Sequence, residues 1–128
     1  MTGYLKNING DSDDVLKSRE GIFMMIARWQ IKARFGHKEA ALDSMKRWIH
    51  EIGSQIGWTP DRVRVITGSV GAYESIIETE IAIKDLKELD DAWTKLSKLS
   101  PHKKWGQEFE NLIVSGTARW EIFRVVSD

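Results

Sequence analysis

The chain of 128 residues predicts an α+β domain of β-α-β-β-α-β order, with helices packed on a four-stranded antiparallel sheet. Three observations carry the prediction. Apolar and polar residues alternate with a period of two in four separate stretches. Two of the intervals between them carry apolar residues at three- and four-residue steps, the period of an amphipathic helix. Glycine or proline stands at most of the junctions, where the chain must turn.

Residues 1–20 read as a flexible N-terminal arm, because Asn7, Asn9, Gly10, Asp11, Ser12 and Asp13 favour turns and bury little. Residues 21–128 then form the α/β domain. The first strand is expected over 22–33. Phe23, Met25, Ala27, Trp29 and Ile31 share one face; Ile22, Met24, Ile26, Arg28 and Gln30 share the other. A helix follows over 37–56, marked by Ala41, Met45, Trp48, Ile49, Ile52 and Ile56. Glu39 and Asp43 stand early in it, where negative charge suits the helix dipole. Gly57 and Pro60 supply the stop.

Residues 62–68 read as the second strand, with Val63, Val65 and Thr67 opposing Arg62, Arg64 and Ile66. Gly68 and Gly71 bracket a hairpin into the third strand, residues 73–83. Asp85 is placed to cap a second helix, and Glu88 three residues later completes a capping-box spacing. Leu86, Leu89, Trp93, Leu96 and Leu99 mark its apolar face. Ser100-Pro101 starts a further helical piece, serine at the cap and proline at the first position. Trp105, Phe109 and Leu112 line it, Gly116 ends it, and residues 117–126 form the last strand.

A hairpin and two crossovers in this order give a ferredoxin-like sandwich. Right-handed crossovers put both helices on one side of the sheet. The other side keeps Met24, Ile26, Ile66, Ile76 and either Phe123 or Trp120 uncovered. A second copy, sheet against sheet, is the simplest cover, so a homodimer is expected.

Composition narrows the function. Lysine plus arginine number 19 and aspartate plus glutamate 19, which leaves no large positive field for nucleic acid or for an acidic membrane surface. Glutamates on the third strand also oppose an RNA-binding sheet platform. There is no cysteine, so disulfides, thiolate metal sites and cysteine nucleophiles are excluded. No run of 18 apolar residues and no signal-peptide pattern occur, and a cytoplasmic location is expected. The three histidines are far apart and form no helical ligand pair, so neither a metal nor a cofactor is expected. Gly68-Ser69-Val70-Gly71 precedes a strand and lacks the lysine of a phosphate loop. No serine sits in a nucleophile-elbow pattern.

The polar candidates lie on the third strand. Glu74, Ile76, Glu78 and Glu80 share one face, and Glu78 and Glu80 stand roughly 6–7 Å apart. Glu78, Glu80 and His37, at the start of the first helix, are the candidate catalytic residues. Arg28, Trp29, Glu74, Trp120 and Arg124 are the candidate ligand contacts. The competing reading pairs the glutamates with Arg28 and with Arg119 or Arg124 as structural ion pairs, and leaves His37 at the surface. The six tryptophans read either as core packing or as the wall of a pocket for a planar or acyl ligand. Trp58, between Gly57 and Pro60, is placed in a turn, at an entrance or an interface.

The element order resembles the dimeric α/β-barrel superfamily of ferredoxin-like proteins. Val65-Ile66-Thr67-Gly68, the strand through Glu78 and Glu80, the helix around Trp93 and the Ser100-Pro101 followed by Trp105 resemble NIPSNAP-type domains. The likeness spans roughly residues 22–126. It implies a dimer, a barrel and a pocket between sheet and helices, and it carries over no catalytic residue. The function it suggests is small-molecule binding, or cofactor-independent oxygenase- or isomerase-like activity. The rival is a non-enzymatic homodimeric structural or interaction module, since a fold this widely reused does not specify chemistry.

Overall fold

Each expected strand and helix forms, in the expected order, in a computed structural model that describes residues 23–127. The elements are β1 (Met25–Lys32), α1 (Lys38–Glu51), β2 (Val63–Thr67), β3 (Ile76–Ile83), α2 (Leu86–Leu96), α3 (Ser100–Phe109) and β4 (Arg119–Arg124). Short 3-10 turns follow α1 at Gly53–Ile56 and α3 at Glu110–Leu112. The expected arm, residues 1–20, lies outside the described residues.

The strands are ordered β2-β3-β1-β4 and every neighbouring pair is antiparallel. Arg28 stands opposite Glu80 on one side and Glu121 on the other; Trp29 stands between Thr79 and Trp120. This register is what period-two alternation demands, because a slip of one residue would turn every apolar side chain to the wrong face.

The helix-facing side of the sheet is apolar. Ala27 and Ile31 of β1, Val63 of β2, and Ile77, Ile81 and Ile83 of β3 are all buried. Ala27, Val63, Ile81 and Ile83 meet Trp48, Ile49 and Ile52 from α1 and its end, and Leu89, Ala92 and Leu96 from α2; Ile31 and Ile77 meet Ala41 and Met45 of α1 and Phe109 of α3. Each fully buried isoleucine or leucine contributes about 1.5–3 kcal/mol relative to an exposed one.

Local signals decide the element ends. The Asp85 carboxylate accepts from the Glu88 backbone N–H at 2.8 Å, and Glu88 accepts from the Lys84 N–H at 2.6 Å. Gly57 adopts a left-handed conformation, φ +87°, and closes the turn after α1. One expected cap is corrected. Leu99, not Ser100, caps α3, because the N–H groups of His102 and Lys103 return to the Leu99 carbonyl.

The barrel is corrected as well. β2 and β4 lie at opposite ends of the strand order, and each pairs with one neighbour among the described residues. The sheet is therefore open. Closing a sheet requires its edge strands to bond to each other, and nothing in this register brings them together. The fold is a ferredoxin-like sandwich without a barrel.

Candidate functional site

The two faces of the sheet hold the polar chemistry in different ways. On the helix side, a cavity of about 300 Å³ opens between the sheet, α1, α2 and α3. All six tryptophans of the chain line it. Trp29 and Trp120 come from β1 and β4, Trp48 from α1, Trp93 from α2 and Trp105 from α3. Trp58 enters from the loop after Gly57.

The inner wall is tightly made. Trp58 is 1% exposed, so the turn that was expected at an entrance is buried instead. Its backbone N–H bonds the Gly53 carbonyl at 2.9 Å. Trp48 touches Trp58 and Trp105 with ring centroids 6.4 Å and 6.2 Å apart. Gly53 makes this approach feasible: a Cβ there would stand 2.9 Å from the Trp58 carbonyl oxygen and 3.1 Å from the Trp48 ring. Trp105 stacks on Phe109 at 4.5 Å and its indole N–H donates to the Ser44 carbonyl at 3.0 Å. Trp93 and Trp120 meet edge to face at 5.4 Å. They are 40% and 37% exposed, which makes them the lip of the cavity.

His102 belongs to the same wall. Its Nδ1 accepts from Trp48 Nε1–H at 3.0 Å, and its ring stacks against Trp105. Burial lowers its pKa from the usual 6.5, because the charged ring loses hydration. The neutral ring therefore carries its proton on Nε2 and accepts at Nδ1.

Among the described residues, two buried polar atoms of cavity-lining residues have no hydrogen-bond partner. Trp58 Nε1 and Thr79 Oγ1 are both fully buried and unbonded. A buried unpaired donor or hydroxyl costs about 1–3 kcal/mol, and both residues belong to the cavity wall. Thr79 was not singled out in the sequence. Its signal is the break it makes in β3, where the other helix-facing positions, 77, 81 and 83, are isoleucine.

On the opposite face the charges satisfy one another. Glu78 is 3% exposed; it accepts from Arg28 Nε at 2.5 Å and from Gln30 Nε2 at 2.9 Å. Glu80 accepts from Arg64 at 2.7 Å and lies 3.4 Å from Arg28. Arg119 pairs with Glu121, and the Arg28 guanidinium lies 5.0 Å from the Phe123 ring centroid. This face places Phe123 on the open side and Trp120 on the helix side, which settles the alternative left by the sequence.

Of the sequence candidates, Trp29 and Trp120 thus stand at the cavity. Glu78, Glu80 and Arg28 come together on the far side of the sheet. His37 is the exposed residue before α1 and makes no side-chain capping bond. Glu74 is exposed in the turn before β3, and Arg124 is exposed at the end of β4, opposite Met25. No helix among the described residues is long and apolar enough to cross a membrane.

Fold and site together define an open-faced ferredoxin-like sandwich with an aromatic cavity beneath its helices. No family model matches the chain, and no curated protein does. Solved structures resemble it. A NIPSNAP family protein from Agrobacterium tumefaciens superposes with a TM-score of 0.65 at 14% identity, over 83% of this chain and 89% of that one. A second NIPSNAP family protein of unknown function from the same organism gives 0.64 at 16%, over 81% and 91%. An uncharacterized NIPSNAP-like domain protein from Burkholderia xenovorans gives 0.60 at 13%, over 82% and 87%. The likeness to NIPSNAP-type domains is one of fold. The placement in a barrel superfamily is corrected by the open sheet.

Proposed function

We propose that this protein binds a small, flat, uncharged organic molecule in the tryptophan cavity, and that binding rather than turnover is its task. One observation carries the reading: six indoles converge on a space of about 300 Å³, and two buried polar atoms of its lining residues have no partner among the described residues. Aromatic walls with a few fixed polar groups are the usual make-up of a ligand pocket. Trp58 Nε1–H donates and Thr79 Oγ1 donates or accepts, so a carbonyl or ether oxygen suits both. Among the described residues no Lys, Arg, Asp or Glu lines the cavity, and burial disfavours the charged form of His102 there. A charged ligand would enter without a partner, at high desolvation cost.

Oxygenase- or isomerase-like chemistry finds less support. The carboxylates Glu78 and Glu80 face away from the cavity and are bonded to Arg28, Gln30 and Arg64. They serve in this reading as the ties of the sheet. The test uses prodan, a naphthalene bearing a short ketone, excited by energy transfer from tryptophan. Saturable one-to-one binding is expected, with naphthalene-2-sulfonate failing to compete. No saturable binding by prodan overturns the proposal.

A second reading concerns self-association. Met24, Ile66 and Phe123 are 43%, 38% and 45% exposed around the ion-pair network. This apolar fringe favours a homodimer joined at the open face. Sedimentation should show a dimer that Phe123→Glu dissociates; a wild-type monomer at high micromolar concentration rejects it.

A further inference from the structure

The cavity does not end at its own wall. A second depression lies between α3 and the start of β4, lined by Ile31, Phe109 and Ile113 among others. It shares Trp29, Trp105 and Gly106 with the tryptophan cavity. Trp29 and Trp105 both stand against Phe109, at 6.1 Å and 4.5 Å between ring centroids. Two of the three shared residues are thus bulky. The third has no side chain.

Gly106 lies inside α3, where glycine is a poor helix former. The backbone gives no reason for it, since its φ is not positive. Packing gives none either, because a Cβ there would meet nothing within 4 Å. Gly106 lines both depressions, so the wall they share carries no side chain at this position. Thr79, one of the two unpartnered polar residues, is the cross-strand neighbour of Trp29, which lines both depressions.

We infer that the ligand has two parts: the flat head of the proposed function, held by its oxygen at Trp58 and Thr79, and an apolar tail that crosses Gly106 into the second depression. Gly106 is the residue that sets how long a tail the protein accepts. This rests on the binding proposal and narrows its ligand to acyl-chain-bearing aromatics or compounds of that shape. The second depression supplies apolar wall for the tail through Ile31, Phe109 and Ile113.

The experiment compares prodan with its hexanoyl homologue, which adds three methylenes to the same head. On the wild-type protein the homologue is expected to bind roughly ten- to fiftyfold tighter. Gly106→Leu should bring that ratio close to one, and Gly106→Ala should give an intermediate ratio. Both replacements favour helix over glycine, and an unchanged or raised melting temperature confirms that each variant folds. Equal affinity of the two probes for the wild type overturns the tail, as does a ratio that survives Gly106→Leu. Absence of prodan binding to the wild type would reject the cavity as a ligand site and the tail with it, an outcome distinct from either of those.

Discussion

The two faces of one sheet spend their polar groups in opposite ways. The open face carries most of the charge, and that charge is matched: Glu78 has two donors, and Glu80 bonds Arg64 and lies beside Arg28. The helix face is almost wholly apolar, yet it holds the unmatched atoms, Trp58 Nε1 and Thr79 Oγ1. Residue type alone points to the glutamates and arginines as functional. Hydrogen-bond satisfaction points to a threonine and a tryptophan. The second criterion adds an energetic argument, because a buried unpaired atom persists only at a cost.

The largest expected effect tests the matched face. Glu78→Ala leaves Gln30 without its acceptor and Arg28 with Glu80 alone, 3.4 Å away. Arg28 keeps a third of its side chain in solvent (32%), which tempers the loss to about 2–3 kcal/mol, below that of a fully buried pair. Urea denaturation should show this loss while prodan affinity changes little. A large drop in affinity with stability intact would instead make Glu78 a ligand contact.

Gly53→Ala probes the other face. The added methyl would press on the Trp58 carbonyl and the Trp48 ring. About 1–3 kcal/mol of stability should be lost to overpacking, with a shift in tryptophan emission as the two indoles move apart. An unperturbed emission spectrum would show that the wall is softer than its packing implies.

Thr79→Val sharpens the contrast in the other direction. It removes an unpartnered hydroxyl at nearly constant shape. Stability should rise by about 1 kcal/mol, and prodan should bind several-fold more weakly, a trade of stability against binding. A loss of stability would mean that the hydroxyl is satisfied within the protein.

The smallest effect is the pH response of His102. Burial lowers its pKa in the folded chain. As pH falls below 6.5, the unfolded chain takes up the proton first, so stability declines until the folded ring also protonates, and is level in this contribution below that point. Protonation also ends acceptance at Nδ1 from Trp48. Between pH 7.5 and 5 the denaturation midpoint of wild type should fall more than that of His102→Phe. Parallel curves would remove His102 from the cavity's titration.

Much of the architecture is legible in the residues themselves. The parity of β3, with Glu78 and Glu80 against Ile77 and Ile81, places carboxylates and isoleucines on opposite faces, and the register agrees. The spacing of Asp85 and Glu88 marks the start of α2. The pairing of Arg28 with Glu78 was one of two readings of the charges. A cavity wall is one of the two readings of the tryptophans, whereas Thr79 and Gly106 carry no signal in residue type that marks them as its lining.

What the sequence determines alone is what local geometry determines: period two or period 3.6, the side of an element on which a residue falls, and the places where the backbone must turn. These follow from neighbours a few residues apart. What only the tertiary structure decides is convergence and satisfaction. Trp29, Trp48, Trp58, Trp93, Trp105 and Trp120 are scattered over most of the chain, and two crossovers and a buried loop bring them round one space. Whether a buried polar atom finds a partner depends on groups far away in sequence, fixed by packing to within a fraction of an ångström. That is why the pairing of Glu78 with Arg28 and the lack of a partner at Thr79 Oγ1 are seen only in the folded chain.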